Sequence, residues 1–416
     1  MRKMKDSGVA WLGEIPEDWT VVFNKHLMKK VKCIREKYTG EDVLSLTMKG
    51  VLIRDLDNPS GKMPATFDGY QFVEAGNLLM CLFDIDVTPR CIGLIKNNGV
   101  CSPAYSQFKL NDLADAGYYY YYYLNLDNTK ELLHLAKNLR HSLTEEQFGA
   151  IPTALPPLDV QKKISHKLER KVSEADALIT NVQAQIEKLK AYKQSLITEV
   201  VTKGLDPNAP MKDSGVEWIG TIPASWKTIR VKQLLRERKE RSVNGKEEPL
   251  SMSQKVGLVP TKMLDMIPNM ASSFVGAKLA YVDDLVFNKL KAHLGVFSVS
   301  KYDGLVSPDY AVYYSTGIID LKYLEYLFKT PQCISEFRKR STGIAAGLTR
   351  LYTDGLFAIE CPMPSKDEQA EIVLFLNEKC AQIDELMSLK QTKIEKLEQY
   401  KRSLIYEYVT GKKEVS

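Results

Sequence analysis

Between Ile164 and Thr202, apolar residues recur at Ile164, Leu168, Val172, Ala175, Ile179, Val182, Ile186, Leu189, Tyr192, Leu196 and Val200. The steps are almost all three or four residues, which keeps one stripe on one face of a helix. Over so many turns this predicts a coiled-coil seam rather than an ordinary globular helix. At 1.5 Å per residue the helix would span roughly 60 Å. Lys203-Gly204 closes it, and GLDPNAP (204–210) reads as a stop and a short linker. A seam needs a partner, and Ile372, Leu376, Ile383, Leu386, Ile394, Leu397, Leu404 and Tyr408 repeat the pattern. IEKLKAYKQSLITEVVT (186–202) lies over IEKLEQYKRSLIYEYVT (394–410) with 12 of 17 positions identical.

The duplication covers the whole chain. MKDSGVAWLGEIPEDW (4–19) matches MKDSGVEWIGTIPASW (211–226) at 11 of 16 positions, with an offset of 207 against 208 for the helices. Self-similarity at a fixed period dictates architecture ahead of any local signal. Each half opens on a Trp/Gly/Pro-rich segment with too many breakers for a helix, its tryptophans predicted to pack onto the domain that follows. About 140 residues of mixed character come next in each half. Their short apolar runs (42–47, 76–83 and 91–95; then 278–282, 285–290 and 295–299) predict a short-stranded sheet with turns. Helical segments follow at 118–135 and 319–339. NNGVCSPAY (97–105) parallels YDGLVSPDY (302–310), but most of the rest has diverged. Two scaffolds have stayed alike while the modules they carry varied.

The six tyrosines from Tyr118 to Tyr123 align with a stretch of helical amphipathic spacing beginning at Leu321. A packed helix start with some phenols solvated is expected there, rather than a base-stacking platform. Pro-rich turns, IPTALPPLDVQ (151–161) and IECPMPSKDEQ (359–369), precede the long helices. The expected segments are therefore a first domain at 1–155, a spacer helix at 156–204, a second domain at 205–363 and a second spacer helix at 364–416.

Composition is that of an ordinary soluble protein, with 44% hydrophobic and 26% charged residues. The net charge of +5 permits an acidic partner without demanding one. Seven scattered cysteines form no CxxC pair and predict buried, reduced thiols. The polar opening MRKMKDSG resembles no signal peptide, and the longest apolar runs, such as LLMCLF (78–83), are too short to span a bilayer. The expectation is a cytoplasmic protein without membrane contact.

Catalytic signals are poor. There is no GxxxxGK[ST] loop, no GxGxxG opening a helix, and no metal spacing among the five histidines. One formal match remains: Pro308-Asp309 followed by Asp320-Leu321-Lys322 fits the PD…(D/E)xK arrangement of metal-dependent nucleases, whose carboxylates must cluster around Mg²⁺. Against it, Ala104 stands in place of Asp309 in the first copy, and Asp320 looks like a helix start. Basic residues are more suggestive. Lys62, Arg90, Lys96, Lys289, Lys291 and Lys301, with His293, flank the predicted strands. Lys137 and Arg140, then Arg338, Lys339, Arg340 and Arg350, lie ahead of the Pro-rich turns, the latter with Gly343 and Gly347 in a loop suited to close approach. Singly each is an ordinary surface charge; as a set they point to nucleic acid.

With these motifs in order, the chain resembles the specificity subunit of Type I restriction–modification enzymes over essentially all 416 residues. The resemblance rests on the twice-present GxIPxxW opening (Gly13 to Trp19; Gly220 to Trp226), the SPxY text, the Pro-x-x-x-x-Gln helix starts (Pro156 to Gln161; Pro364 to Gln369) and the closing I-x-x-L-x-x-Y-[KR]-x-SLI-x-E-x-V repeat. The first copy departs in lacking a Glu before Gln161 and the basic run found at 288–291. The resemblance implies an α+β chain: two pseudo-two-fold-related mixed α/β target-recognition domains separated by an antiparallel coiled coil of two long helices. Each domain would read half of a split, asymmetric site in double-stranded DNA. The helices would pair through Ile164, Leu168, Ile179, Ile186, Leu189 and Leu196 against Ile372, Leu376, Ile383, Ile394, Leu397 and Leu404, and would dock two methyltransferase subunits. The chain would bind no cofactor and catalyse nothing. S-adenosylmethionine, ATP and Mg would sit on those modification subunits and on restriction/translocase subunits. The readings outside this family are the nuclease built on Asp309, Asp320 and Lys322, and a coiled-coil adaptor that never touches DNA.

Overall fold

The computed structural model describes residues 3–59, 61, 63–136, 141–254, 256–264, 273–345 and 348–415. It forms two compact units, Met1–Gln183 with Gln391–Ser416, and Ala184–Lys390. Neither is a sequence half. The long helices, Leu158–Lys203 and Lys366–Val409, each begin in the unit of their own repeat and end in the other.

In the first unit a four-stranded antiparallel sheet runs in the order Met28–Val31, Ser106–Leu110, Leu78–Met80, Ile92–Leu94. Leu78, Leu79 and Met80 are all buried because both faces of the sheet are covered. Strand alternation sends Leu78 and Met80 into the main core and Leu79 into a smaller cluster with Leu44, Val73, Ile95 and Cys101. The helix Ala116–Asn128 starts at Asp115, whose carboxylate accepts from the Tyr118 N–H at 2.8 Å. Its tyrosines differ from expectation: five are buried and Tyr120 is half-buried. The reason is internal satisfaction of the hydroxyls, since Tyr119 donates to the Ala154 carbonyl (2.9 Å), Tyr118 to that of Val409 (2.9 Å) and Tyr123 to the Asn24 side chain. The opening segment is a hairpin, Met4–Asp6 with Glu14–Pro16, followed by the buried Trp19.

The second unit repeats this plan with other side chains. Its sheet runs Leu235–Glu237, Tyr310–Ser315, Leu285–Asn288, Phe297–Val299. Leu285 and Phe287 face the main core, and Val286 faces a smaller cluster with Leu250, Leu258 and Ala280. Phenylalanines do the filling: the Phe287 and Phe297 rings stack at 4.5 Å, with Phe328 and Phe337 edge-on around them. The helices Leu321–Phe328 and Pro331–Arg340 are capped by Asp320 and Thr330. Tyr323 donates to the Val201 carbonyl at 2.9 Å, as Tyr118 does to Val409 in the first unit.

Within each unit the helix segments run antiparallel, because residue numbers rise on one as they fall on the other. In the first unit Asp176 pairs with Lys401, and Lys167 lies over the Tyr408 ring. In the second, Gln185 meets Lys390 at 2.6 Å and Lys193 meets Asp384 at 2.7 Å. Ile164, Leu168, Ile179, Ile394 and Leu404 are buried in the first unit, with Leu397 half-buried. In the second, Ile186, Ile372, Leu376 and Ile383 are buried, with Leu189 and Leu196 half-buried. Tyr192 and Leu386 correct the expected seam, being 57% and 42% exposed. At Tyr192 the more covered position belongs instead to Lys193, whose side chain is 25% exposed and whose ammonium pairs with Asp384. Of the cysteines, Cys33 is exposed and the other six are buried, none in a disulfide. Among the described residues, no helix is long and apolar enough to cross a membrane.

Candidate nucleic-acid interface

In the second unit, three segments converge at the end of the sheet away from the long helices: the turn Ser307–Tyr310, the strand Lys278–Ala280 and the hairpin Thr342–Ala345 with Leu348–Arg350. The turn closes where the Tyr310 N–H donates to the Ser307 carbonyl at 2.9 Å. Lys278 Nζ donates to the Tyr310 carbonyl at 2.6 Å, so the lysine props the turn from behind. The Leu351 N–H donates to the Lys289 carbonyl at 3.0 Å and ties the hairpin to the end of the strand Leu285–Asn288. Arg350 Nη2 then meets Asp309 Oδ1 at 2.7 Å. Burial holds the Lys278 ammonium below the usual lysine value, and nearby Lys289 and Arg241 push it the same way against Glu237 and Asp309. This edge therefore concentrates Lys278, Lys289, Arg241 and Arg350 around few carboxylates.

The equivalent edge of the first unit has other chemistry. Gln71 stands where Lys278 stands, donating to the Tyr105 carbonyl at 2.7 Å and that of Ser102 at 2.9 Å. The same turn is propped without a charge. Around it the Phe83 and Tyr105 rings stack at 6.4 Å, and Tyr38, Phe67 and Tyr70 pack edge to face at 5.2 and 5.3 Å. The Arg35 guanidinium lies 4.7 Å from the Phe72 ring. Burial raises the Tyr105 phenol, with Arg54 close enough to oppose it.

Of the basic residues singled out in the sequence, Lys289 and Arg350 are brought together. Lys291 is exposed, just ahead of the short turn Ala292–Leu294, and His293 in that turn buries an Nδ1 without a hydrogen-bond partner. Arg340 ends its helix paired with Glu336 at 3.4 Å. Three residues lie elsewhere. Lys96 reaches Glu169 on the long helix at 3.4 Å. Arg90 sits beside the Tyr120 hydroxyl, which Asp176 and Lys401 of the helices also influence. Lys301 follows Phe297–Val299, whose pairing with Leu285–Phe287 sets it at the opposite end of the sheet from Lys289. Lys62, Lys137 and Arg140 lie outside the described residues. Lys278, Arg241, Gln71, Arg35 and Arg54, which the structure places at these edges, are not among the residues singled out in the sequence. Only the parallel between Gln71 and Lys278, each about 30 residues ahead of an SPxY turn, carried a signal for any of them.

The nuclease arrangement does not assemble. Asp320 caps a helix by accepting from the Lys322 N–H at 2.7 Å, Lys322 Nζ pairs with Glu325 at 3.0 Å, and Asp309 is held by Arg350. Asp309 and Asp320 flank opposite ends of the six-residue strand Tyr310–Ser315, which spans about 15–20 Å and keeps them from sharing a metal. Among the described residues, no three His, Cys, Asp or Glu side chains are grouped to hold one.

Away from the sheets, the long helices expose duplicated apolar residues. The first unit presents Leu178 and Tyr400, and the second presents Tyr192 and Leu386, each pair related to the other by the offset of 208.

No family model matches the chain. The MjaVIII type I restriction enzyme specificity subunit of Methanocaldococcus jannaschii is 25% identical over 283 residues, 64% of this chain and 63% of the relative. The putative MjaX specificity subunit of the same organism is 26% identical over 318 residues, 71% of this chain and 68% of the relative. The match thus spans just under two thirds of the first relative's length. Among solved structures, a chain from a study of complex assembly and conformational transition of the type I R-M system superposes with a TM-score of 0.69 at 14% identity, covering 95% of this chain and 98% of the other. The HsdS subunit from Thermoanaerobacter tengcongensis gives 0.53 at 14% identity over the same shares. The resemblance read from the duplicated motifs stands: the chain is similar in sequence to type I restriction enzyme specificity subunits and has the fold of HsdS chains.

Proposed function

We propose that this chain is the DNA-specificity subunit of a type I restriction–modification complex. Each unit would read one half of a bipartite DNA site. One observation carries the proposal: the scaffold is kept twice to the level of single contacts, whereas the sheet edges differ. Asp176–Lys401 and Asp384–Lys193 are the same ion pair under the offset of 208, and Tyr118–Val409 and Tyr323–Val201 are the same hydrogen bond. Yet one edge props its turn with Lys278 and the other with Gln71. Unequal edges on equal scaffolds suit an asymmetric target.

The roles follow from the chemistry. Lys289, Lys291 and Arg241 would supply phosphate grip and salt dependence, and other side chains of the turns and hairpin would read base edges. The helices would fix the unread gap, since both units can meet one face of a duplex only at separations set by its turn of about 34–36 Å. The exposed Leu178, Tyr400, Tyr192 and Leu386 would dock the two modification subunits. Those subunits would hold S-adenosylmethionine; ATP and Mg would serve the restriction/translocase subunits. This chain would bind none of them and have no catalytic centre. Titration of duplex DNA at several salt concentrations tests the reading. Binding should weaken linearly on a log–log scale as salt rises, with no cleavage or methylation by the purified chain. Catalysis by the chain alone would refute it. Unchanged DNA binding after charge reversal at Lys289, Lys291 and Arg350 would favour the adaptor instead.

A further inference from the structure

Arg350 is held unlike the other basic residues of its edge. Its Nη2 meets Asp309 Oδ1 at 2.7 Å, its Nε is buried without a hydrogen-bond partner, and its guanidinium lies 5.9 Å from the Tyr352 ring. Only 25% of the side chain is exposed, against 53% for Asp309. Both backbones are anchored. Leu351 is tied to the Lys289 carbonyl, and Tyr310 is tied to Ser307 and propped by Lys278. A residue meant to grip phosphate gains nothing from a carboxylate that cancels its charge and repels the ligand. A residue meant to read a neutral base edge gains a fixed plane, because the guanidinium fork must meet two acceptors at once. The major-groove edge of guanine offers such a pair in O6 and N7.

The duplication supplies a second, independent observation. Asp309 is replaced by Ala104 in the first copy, and Arg350 by Ser142. Their neighbours are kept: Ser307-Pro308 as Ser102-Pro103, Tyr310 as Tyr105, Leu351 as Leu143. Both members of the pair change together, while the Ser-Pro and Tyr around the first and the Leu after the second are kept. A pair that merely stabilised the fold would be kept with the scaffold.

Resting on the DNA-specificity reading above, we infer that Arg350 reads a guanine in the half-site contacted by the second unit, with Asp309 positioning its guanidinium. The test is selection from a library of randomised duplex DNA. It uses the full-length chain, purified with the methyltransferase subunits that assemble with it, and sequencing of what is retained. Against the wild-type motif, Arg350→Ala should make one guanine of one half-site degenerate, lowering discrimination there by about 10- to 100-fold. The other half-site and the gap should be unchanged, and Asp309→Ala should relax the same position. An Arg350→Ala motif unaltered at every position, with only weaker retention, overturns the inference, as does loss of discrimination at a base other than guanine. Where Arg350→Ala retains no DNA, Asp309→Ala decides: relaxation at one guanine supports the inference, and an unaltered motif overturns it. A wild-type chain that enriches no motif refutes the DNA-specificity reading itself, which is a different result.

Discussion

The hydroxyl of Tyr118 donates to the main-chain carbonyl of Val409 at 2.9 Å, deep in the first unit and 291 residues away along the chain. Val409 ends its long helix, where carbonyls lack an intrahelical acceptor role, so the phenol satisfies a group the helix leaves open. Tyr323 and Val201 do the same in the second unit. Tyr118→Phe should therefore destabilise the first unit by about 1–3 kcal/mol, and Tyr323→Phe the second by a similar amount. Thermal unfolding checks this; unchanged transitions for both variants would show the bonds to be incidental.

The helix ends make a sharper, unequal prediction. Gly411 has φ +72°, and a Cβ there would fall 2.4 Å from Pro16 and 3.0 Å from Trp19. Gly204 has φ +78°, but its nearest neighbour, Trp226, stands at 3.3 Å. Gly411→Ala should cost about 2–4 kcal/mol, combining left-handed strain with overpacking, and Gly204→Ala only about 1–2 kcal/mol. Equal losses in chemical denaturation would contradict the packing difference.

Glu325 gives a pH dependence. It is buried and accepts from the Val299 N–H at 3.2 Å, with Lys329 at 2.6 Å and Lys322 at 3.0 Å. Burial alone would raise its carboxyl, but Lys329 and Lys322 outweigh that and hold it below the ordinary value of 4.5. A depressed folded-state value means the stabilisation is full above the unfolded value and is lost as pH falls through the folded one. Urea denaturation between about pH 6 and 3 should show an acid-side loss that Glu325→Gln flattens.

The periodicity of residues 164–200, the helix start at Asp320 and the doubling of every segment were legible in the chain, because each is a local pattern or a repeat. Tyr192 departs from the expected seam because steps of three and four fit both 192 and 193, and only packing shows that Lys193, paired with Asp384, takes the more covered position. Arg90 and Lys96 lie away from the Tyr105 turn for a related reason. A basic residue beside a strand does not say which end of the sheet it occupies, and Lys96 turns to Glu169. Lys278 was missed because its role depends on the pairing of Lys278–Ala280 with Gly304–Val306, which brings it to the Tyr310 turn.

The docking proposal predicts a separation of assembly from folding. Leu178→Asp with Tyr400→Asp in the first unit, or Tyr192→Asp with Leu386→Asp in the second, should change stability by no more than about 1 kcal/mol, since about half of each side chain already faces water. Each pair should prevent one of two methyltransferase subunits from binding, read as a mass shift of the assembled complex. Full assembly of both variants would move the docking surface elsewhere.

The central claim is that two unequal edges on one duplicated scaffold read a split target. Its most direct test maps methylated adenines in DNA from cells expressing this chain with its modification subunits. The predicted result is one bipartite site with two different halves and a constant gap, lost when the chain is deleted. An uninterrupted palindromic site, or methylation that persists without the chain, would contradict it.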